Sequence, residues 1–216
     1  MTSDASLQST KKQVQWWCLV VFVLALFAVY WGTAYLIPAA TMLGVSAQFF
    51  GAALISVALA VAPLGRAAFE VLALRRFGWR YAVLGIVATM VFSFAVDQLG
   101  VESEWAHELA DIVREPGQLL PSLLLIGALG PLAEELVFRG LLYAWVESRW
   151  GPIAALVTSA LAFAVIHWEP AQSAVALPVG VLLGWLRWRS NSLVPSLIAH
   201  AVNSSAFVVV AAYFDI

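Results

Sequence analysis

A few residues of this chain have the types and spacing to do chemistry. Glu134 and Glu135 stand side by side in GALGPLAEELVFRGLLYAW, a stretch otherwise as apolar as a membrane span, and Arg139 follows four residues after Glu135. Ionised carboxylates at bilayer depth are costly unless paired or used, so the acid pair marks a functional site. On one helix Glu135 and Arg139 share a face and can form an internal ion pair. Glu134 is turned about 100° away and is left free for chemistry. Two histidines lie in other apolar segments: His167, four residues after Phe163, and His200, with Asn203 three and Ser204 four residues beyond it. A free carboxylate can take a proton from water, while imidazole and amide groups can position that water and stabilise an oxyanion. No Ser, Cys or Thr sits in a recognisable nucleophile motif, so water is the expected nucleophile. Glu134, His167 and His200 are equally a His, His, Glu set that would suit one divalent metal, zinc first, although no H-E-x-x-H signature is present. Both cofactor readings stay open, none or one metal, with the metal-free glutamate route preferred.

Polar residues elsewhere in the spans carry a plainer meaning. Taken by themselves, Gln48, Thr89, Thr158, Ser159 and Asn203 suit hydrogen bonds between membrane helices. Two histidines on separate spans, an ion pair and a spare carboxylate exceed what such bonding requires. Glu135 and Arg139 are expected to support the site, and Glu134, His167, His200 and Asn203 to act in it.

The elements that must position these groups are membrane helices. Hydrophobic residues form 62% of the 216 residues and charged residues only 11%, with a mean hydropathy of +0.90; a soluble domain carries about 25% charge. Gln13 to Gly65 contains no Asp, Glu, Lys, Arg or His. That run exceeds one crossing of about 20 residues and reads as two helices turning near Pro38-Ala39-Ala40-Thr41. Further spans are expected at Tyr81 to Val96, Leu119 to Trp145, Ile153 to Ile166, Ala174 to Leu186 and Leu193 to Phe214. The fold class is therefore all-α, a polytopic bundle of about seven spans, with an eighth possible, plus interfacial helices. Residues 1–15 read as a polar tail and 16–216 as a single membrane-embedded domain. The apolar run after Lys11-Lys12 is too long for a cleaved signal peptide and is read as an uncleaved first span. The lone cysteine, Cys18, excludes an intrachain disulfide and reads as lipid-facing filler.

Charge sets the expected orientation. Lys11, Lys12, Arg66, Arg75, Arg76, Arg80, Arg149, Arg187 and Arg189 fall at alternate ends of the spans, which makes those ends and the N-terminus cytoplasmic. The opposite loop carries Glu102, Glu104, Glu108, Asp111 and Glu115 against Arg114 alone, and its WAHELADIV stretch reads as a short amphipathic helix at the surface. His107 within it reads as a solvated side chain. Arg66 to Trp79 is expected to be an interfacial helix.

Three motifs then carry a resemblance. EELVFR (134 to 139) matches E-E-x-x-x-R, FAVIH (163 to 167) matches F-x-x-x-H, and SLIAHAVNSS (196 to 205) is similar to a closing His-and-Asn motif. In that order they resemble the CPBP intramembrane proteases, the family of CAAX prenyl endopeptidases, lysostaphin-resistance-protein-like proteins and Abi proteins. GVLLGWLRWRSNSLVPSLIAH also resembles the family's Gly-x-x-x-Gly helix and the polar turn after it. The resemblance covers about 119–214. In one departure, Ser204 stands where many members have Asn, and Asn203 lies one residue earlier.

The resemblance implies an intramembrane endopeptidase acting on a membrane-anchored, lipidated or sorting-signal protein, with the bilayer as its surroundings and no nucleic-acid partner. It leaves the catalytic type divided between glutamic and metallo-protease. A prokaryotic inner membrane is the expected location. A proton-coupled transporter or channel using Glu134, His167 and His200 as a relay is the alternative, although no repeated halves are visible. A non-catalytic scaffold with an inherited pocket is a third reading.

Overall fold

Apolar runs without charge form helices throughout the computed structural model, which describes residues 16–98 and 103–214. The polar tail, with Lys11 and Lys12, and Glu102 lie outside the described residues. Helix α1 (Trp16–Leu36) turns into α2 (Met42–Val61) at the expected place, where the Thr41 hydroxyl accepts from Gly44 N at 3.1 Å and caps α2. α1 packs chiefly along α2, and Cys18 is buried there against Phe22, Val57 and Ala60 instead of facing lipid. A small apolar thiol fills a close helix contact as readily as it fills a lipid-facing position.

The segment expected to be an interfacial helix is helical only over α3 (Ala67–Val71); the chain then runs irregularly, with Ala73 at φ 51°, into α4 (Trp79–Asp97). The acidic loop does hold an amphipathic helix, α5 (Glu104–Arg114). Its Leu109, Ala110 and Val113 pack on Ile126, Val208 and Ala211, while Glu104, His107, Glu108 and Asp111 face outward.

The next helical run spans Leu119–Val165, 47 residues. At about 1.5 Å per residue this is more than twice the roughly 30 Å hydrocarbon thickness. It therefore breaks at Gly151, whose φ of 83° lies outside the reach of most side chains, and resumes at Pro152. Its parts are α6 (Leu119–Ser122), a π-helical stretch Leu123–Leu129, α7 (Gly130–Glu135), a second π stretch Leu136–Leu142, and α8 (Tyr143–Val165). α9 (Pro170–Ser190) and α10 (Val194–Tyr213) complete the bundle.

Among the described residues five helices are long and apolar enough to cross a membrane, so the chain is an integral membrane protein, but the count of seven does not emerge. Two expected spans lie in the one kinked run. A third lies in α9, which Gln172, Pro178, Arg187 and Arg189 make less apolar than the rest.

Two faces separate clearly. The α9–α10 turn meets the segment after α3, where Leu193 N donates to Ala73 O at 3.0 Å and the Ser192 hydroxyl to Arg75 O at 2.8 Å. The basic segments thus gather at one end of the bundle. α5 and the α8–α9 turn gather at the other, where the Ser103 hydroxyl donates to Glu169 at 2.8 Å.

The Gly-x-x-x-Gly pair of α9 sets how closely α8 approaches. A Cβ on Gly180 would stand 3.2 Å from Ala160 Cα, and one on Gly184 3.2 Å from Leu156 Cγ. Gly51 on α2 faces open space. Gly180→Leu is expected to destabilise the detergent-solubilised protein by about 1–3 kcal/mol in thermal unfolding. Gly51→Leu should change it little; equal effects would refute the close packing.

Candidate active site

The acid pair sits on α7, between the two π-helical stretches. Such wide turns inside α-helices recur at functional sites, because they re-aim the side chains beside them. Arg139 lies in the second stretch and still meets Glu135: its Nη1 donates to Glu135 Oε1 at 2.9 Å, with both side chains wholly buried. Arg139 Nη2 also donates to Gly180 O at 3.2 Å, and the guanidinium lies 4.3 Å over the Phe163 ring. A buried cation is tolerable when carboxylate, carbonyl and ring face surround it.

His200 on α10 stands between the two glutamates. Its Nδ1 is 3.1 Å from the same Glu135 oxygen that Arg139 binds, and its Nε2 is 3.5 Å from Glu134 Oε2. A carboxylate oxygen already taking an N–H from arginine accepts from the imidazole too, so Nδ1 carries hydrogen. Glu134 differs from its neighbour in exposure, with 20% of its side chain accessible against none for Glu135.

His167, just past the end of α8, places Nδ1 at 2.8 Å from Phe163 O. A carbonyl only accepts, so the neutral ring holds its hydrogen on Nδ1 and presents a lone pair at Nε2. His167 and His200 both lie within electrostatic range of Glu134. Phe163 joins the groups: its ring packs edge-on against His167 at 4.9 Å, His200 at 5.5 Å and Phe138 at 5.6 Å.

The structure thus brings Glu134, Glu135, Arg139, Phe163, His167 and His200 into one cluster. Asn203 is turned toward α4, where its Oδ1 accepts from the Ser93 hydroxyl at 2.8 Å. Ser204 is half-buried and stands outside this network. Among the described residues no three His, Cys, Asp or Glu groups are set to hold an ion, and both ring nitrogens of His200 face carboxylates.

Sequence reasoning passed over several supporting groups. Arg187, read only as a cytoplasmic charge, is 3% exposed; it donates from Nε to Arg139 O at 3.2 Å, stacks 4.8 Å over Tyr143 and stands 4.0 Å from Glu147. Its place in an apolar helix, one residue ahead of a tryptophan, was the available signal. Ser93 carried none, since one serine among apolar neighbours looks like ordinary helix bonding.

The apolar helices and this enclosed cluster of acid, arginine and imidazole define a membrane protein with a polar centre suited to hydrolysis. Residues 116–206 match the family model described as type II CAAX prenyl endopeptidase Rce1-like. That segment is similar to the Rce1-like family and holds all three motifs, in agreement with the CPBP and CAAX protease resemblance; such a family implies an intramembrane protease. No curated protein and no solved structure matches the chain.

Removing one partner of the buried pair leaves the other charged or unsatisfied. Arg139→Met is expected to cost about 3–5 kcal/mol of unfolding free energy. The double variant Arg139→Met/Glu135→Leu should lose clearly less than the two single losses added. Additive losses in denaturant titration would show that the pair is not coupled.

Proposed function

We propose that the protein is an intramembrane endopeptidase in which Glu134 activates a water molecule. The observation that supports this most is His200 held between the two carboxylates, one closed off by Arg139 and the other partly open. Glu134 takes the proton from water while the lone pair at His167 Nε2 orients it, and the water oxygen attacks the scissile carbonyl. His200, with hydrogen on both ring nitrogens when cationic, donates from Nε2 to the oxyanion and keeps Nδ1–H on Glu135. Glu134 then returns its proton to the departing amine. Asn203 adds an amide donor near the histidine, its carbonyl oxygen occupied by Ser93. No step runs through a metal.

The substrate is a membrane-anchored protein or peptide. The matched family's description names a CAAX prenyl endopeptidase, so a bond near a lipidated cysteine is the first class to try. The gathering of arginines at one end supports a cytoplasmic N-terminus, and a prokaryotic inner membrane is the location proposed with it. Nothing in the fold or the family match favours the transporter alternative.

The test is cleavage of membrane-anchored peptides, with and without a prenylated cysteine, in liposomes followed by mass spectrometry. Glu134→Gln is expected to lower kcat by about 100- to 10,000-fold, the scale of a lost general base. Cleavage at the wild-type rate by this variant removes the assignment. Chelator treatment is expected to leave wild-type activity in place; loss of activity together with one equivalent of bound metal contradicts the metal-free route.

A further inference from the structure

His167 lies beyond the regular end of α8, in a turn whose geometry needs support. Trp168, directly after it, has φ 59°, a left-handed backbone that costs a bulky side chain energy, and its indole is 85% exposed. Trp168 therefore gains little from its own packing. The turn is closed by Glu169 N donating to His167 O at 2.6 Å.

The Glu169 side chain reaches across to α5. Its Oε2 accepts from the Ser103 hydroxyl at 2.8 Å and its Oε1 from Glu104 N at 3.0 Å, so one carboxylate occupies the start of α5 with both oxygens. Gln172 adds a bond to the Ser103 hydroxyl at 3.2 Å. α5 is itself fixed to α10. Leu109, Ala110 and Val113 pack on Val208 and Ala211, Trp105 stacks on Phe207 at 5.9 Å, and Arg114 Nε donates to Ala211 O at 3.0 Å. α10 carries His200. The two histidines of the site, whose rings both meet Phe163, are thus joined a second time through Glu169 and α5.

We propose that Glu169 is a positioning residue, which ties the His167 turn to α5 and so fixes His167 relative to His200 and Glu134. The inference rests on the hydrolytic reading of that site. Ser103 is the other half of the tie and lies outside the segment that matches the family.

Single variants Glu169→Ala and Ser103→Ala, their double, Glu169→Gln and Glu108→Ala are compared on a peptide that wild-type protein cleaves. Glu169→Ala is expected to lower kcat by up to about 100-fold with KM nearly unchanged, the effect of displacing a reacting group by about 1 Å. The double variant should be no slower than Glu169→Ala, because both remove one tie. Glu169→Gln, which retains an acceptor, should recover part of the rate, and Glu108→Ala, which removes an exposed acid of α5, should match wild type. A wild-type kcat for Glu169→Ala, multiplicative losses in the double, or a rise in KM alone overturns the proposal. If wild-type protein cleaves no peptide, the hydrolytic reading fails and the tie is judged by hydrogen exchange. Amides of residues 163–169 should then lose protection in Glu169→Ala while those of 130–142 keep theirs; unchanged protection of 163–169 overturns it.

Discussion

A wholly buried ion pair between Glu135 and Arg139 is the constraint around which the rest of the molecule is arranged. Water cannot take the place of either partner at that depth, so each charge must be met by fixed protein groups. The groups that meet them come from several helices: Gly180 O from α9, the Phe163 ring from α8 and His200 from α10. Arg187 bonds the Arg139 carbonyl from outside this ring. Close approach of α8 and α9 at Gly180 and Gly184 is part of the same requirement, because a wider spacing would carry the Gly180 carbonyl away from the guanidinium.

The pair also separates two chemically identical neighbours. Glu135 is spent on Arg139 and His200, whereas Glu134 faces only the imidazole and keeps some access to the outside. The two histidines differ by the same kind of local cause. Both rings hold hydrogen on Nδ1, but His167 meets only a backbone carbonyl whereas His200 stands between two carboxylates, and in its cationic form His200 also offers an N–H at Nε2. Burial, hydrogen bonding and rotation along one helix divide the labour, and no further residue types are needed.

Much of this was legible beforehand. The four-residue spacing of Glu135 and Arg139 was enough to propose their pairing, because i and i+4 stay neighbours even where the helix widens. The turn near Thr41 followed from the length of the charge-free run, and the amphipathic helix at Glu104–Arg114 from its alternation of apolar and charged residues. Other features depend on contacts between residues far apart in the chain. The π-helical stretches leave no mark in hydropathy, and hydropathy alone divides Leu119–Val165 into two spans where the backbone makes one kinked run. Arg187 looked like a boundary charge because its buried partners come from another helix, and the Ser103–Glu169 bond joins residues 66 positions apart. Asn203 was placed beside His200 by helix geometry alone, while its oxygen in fact answers Ser93.

The central claim is that Glu135, held by Arg139, fixes the hydrogen of His200 on Nδ1 so that Nε2 faces Glu134. Solid-state nitrogen NMR of histidine-labelled protein in liposomes reads ring protonation directly. The account requires a protonated Nδ1 at His200, identified by its absence in His200→Ala, and a loss of that state in Glu135→Leu. An unprotonated Nδ1 at His200 in the wild-type protein, or a spectrum indifferent to Glu135, would contradict it.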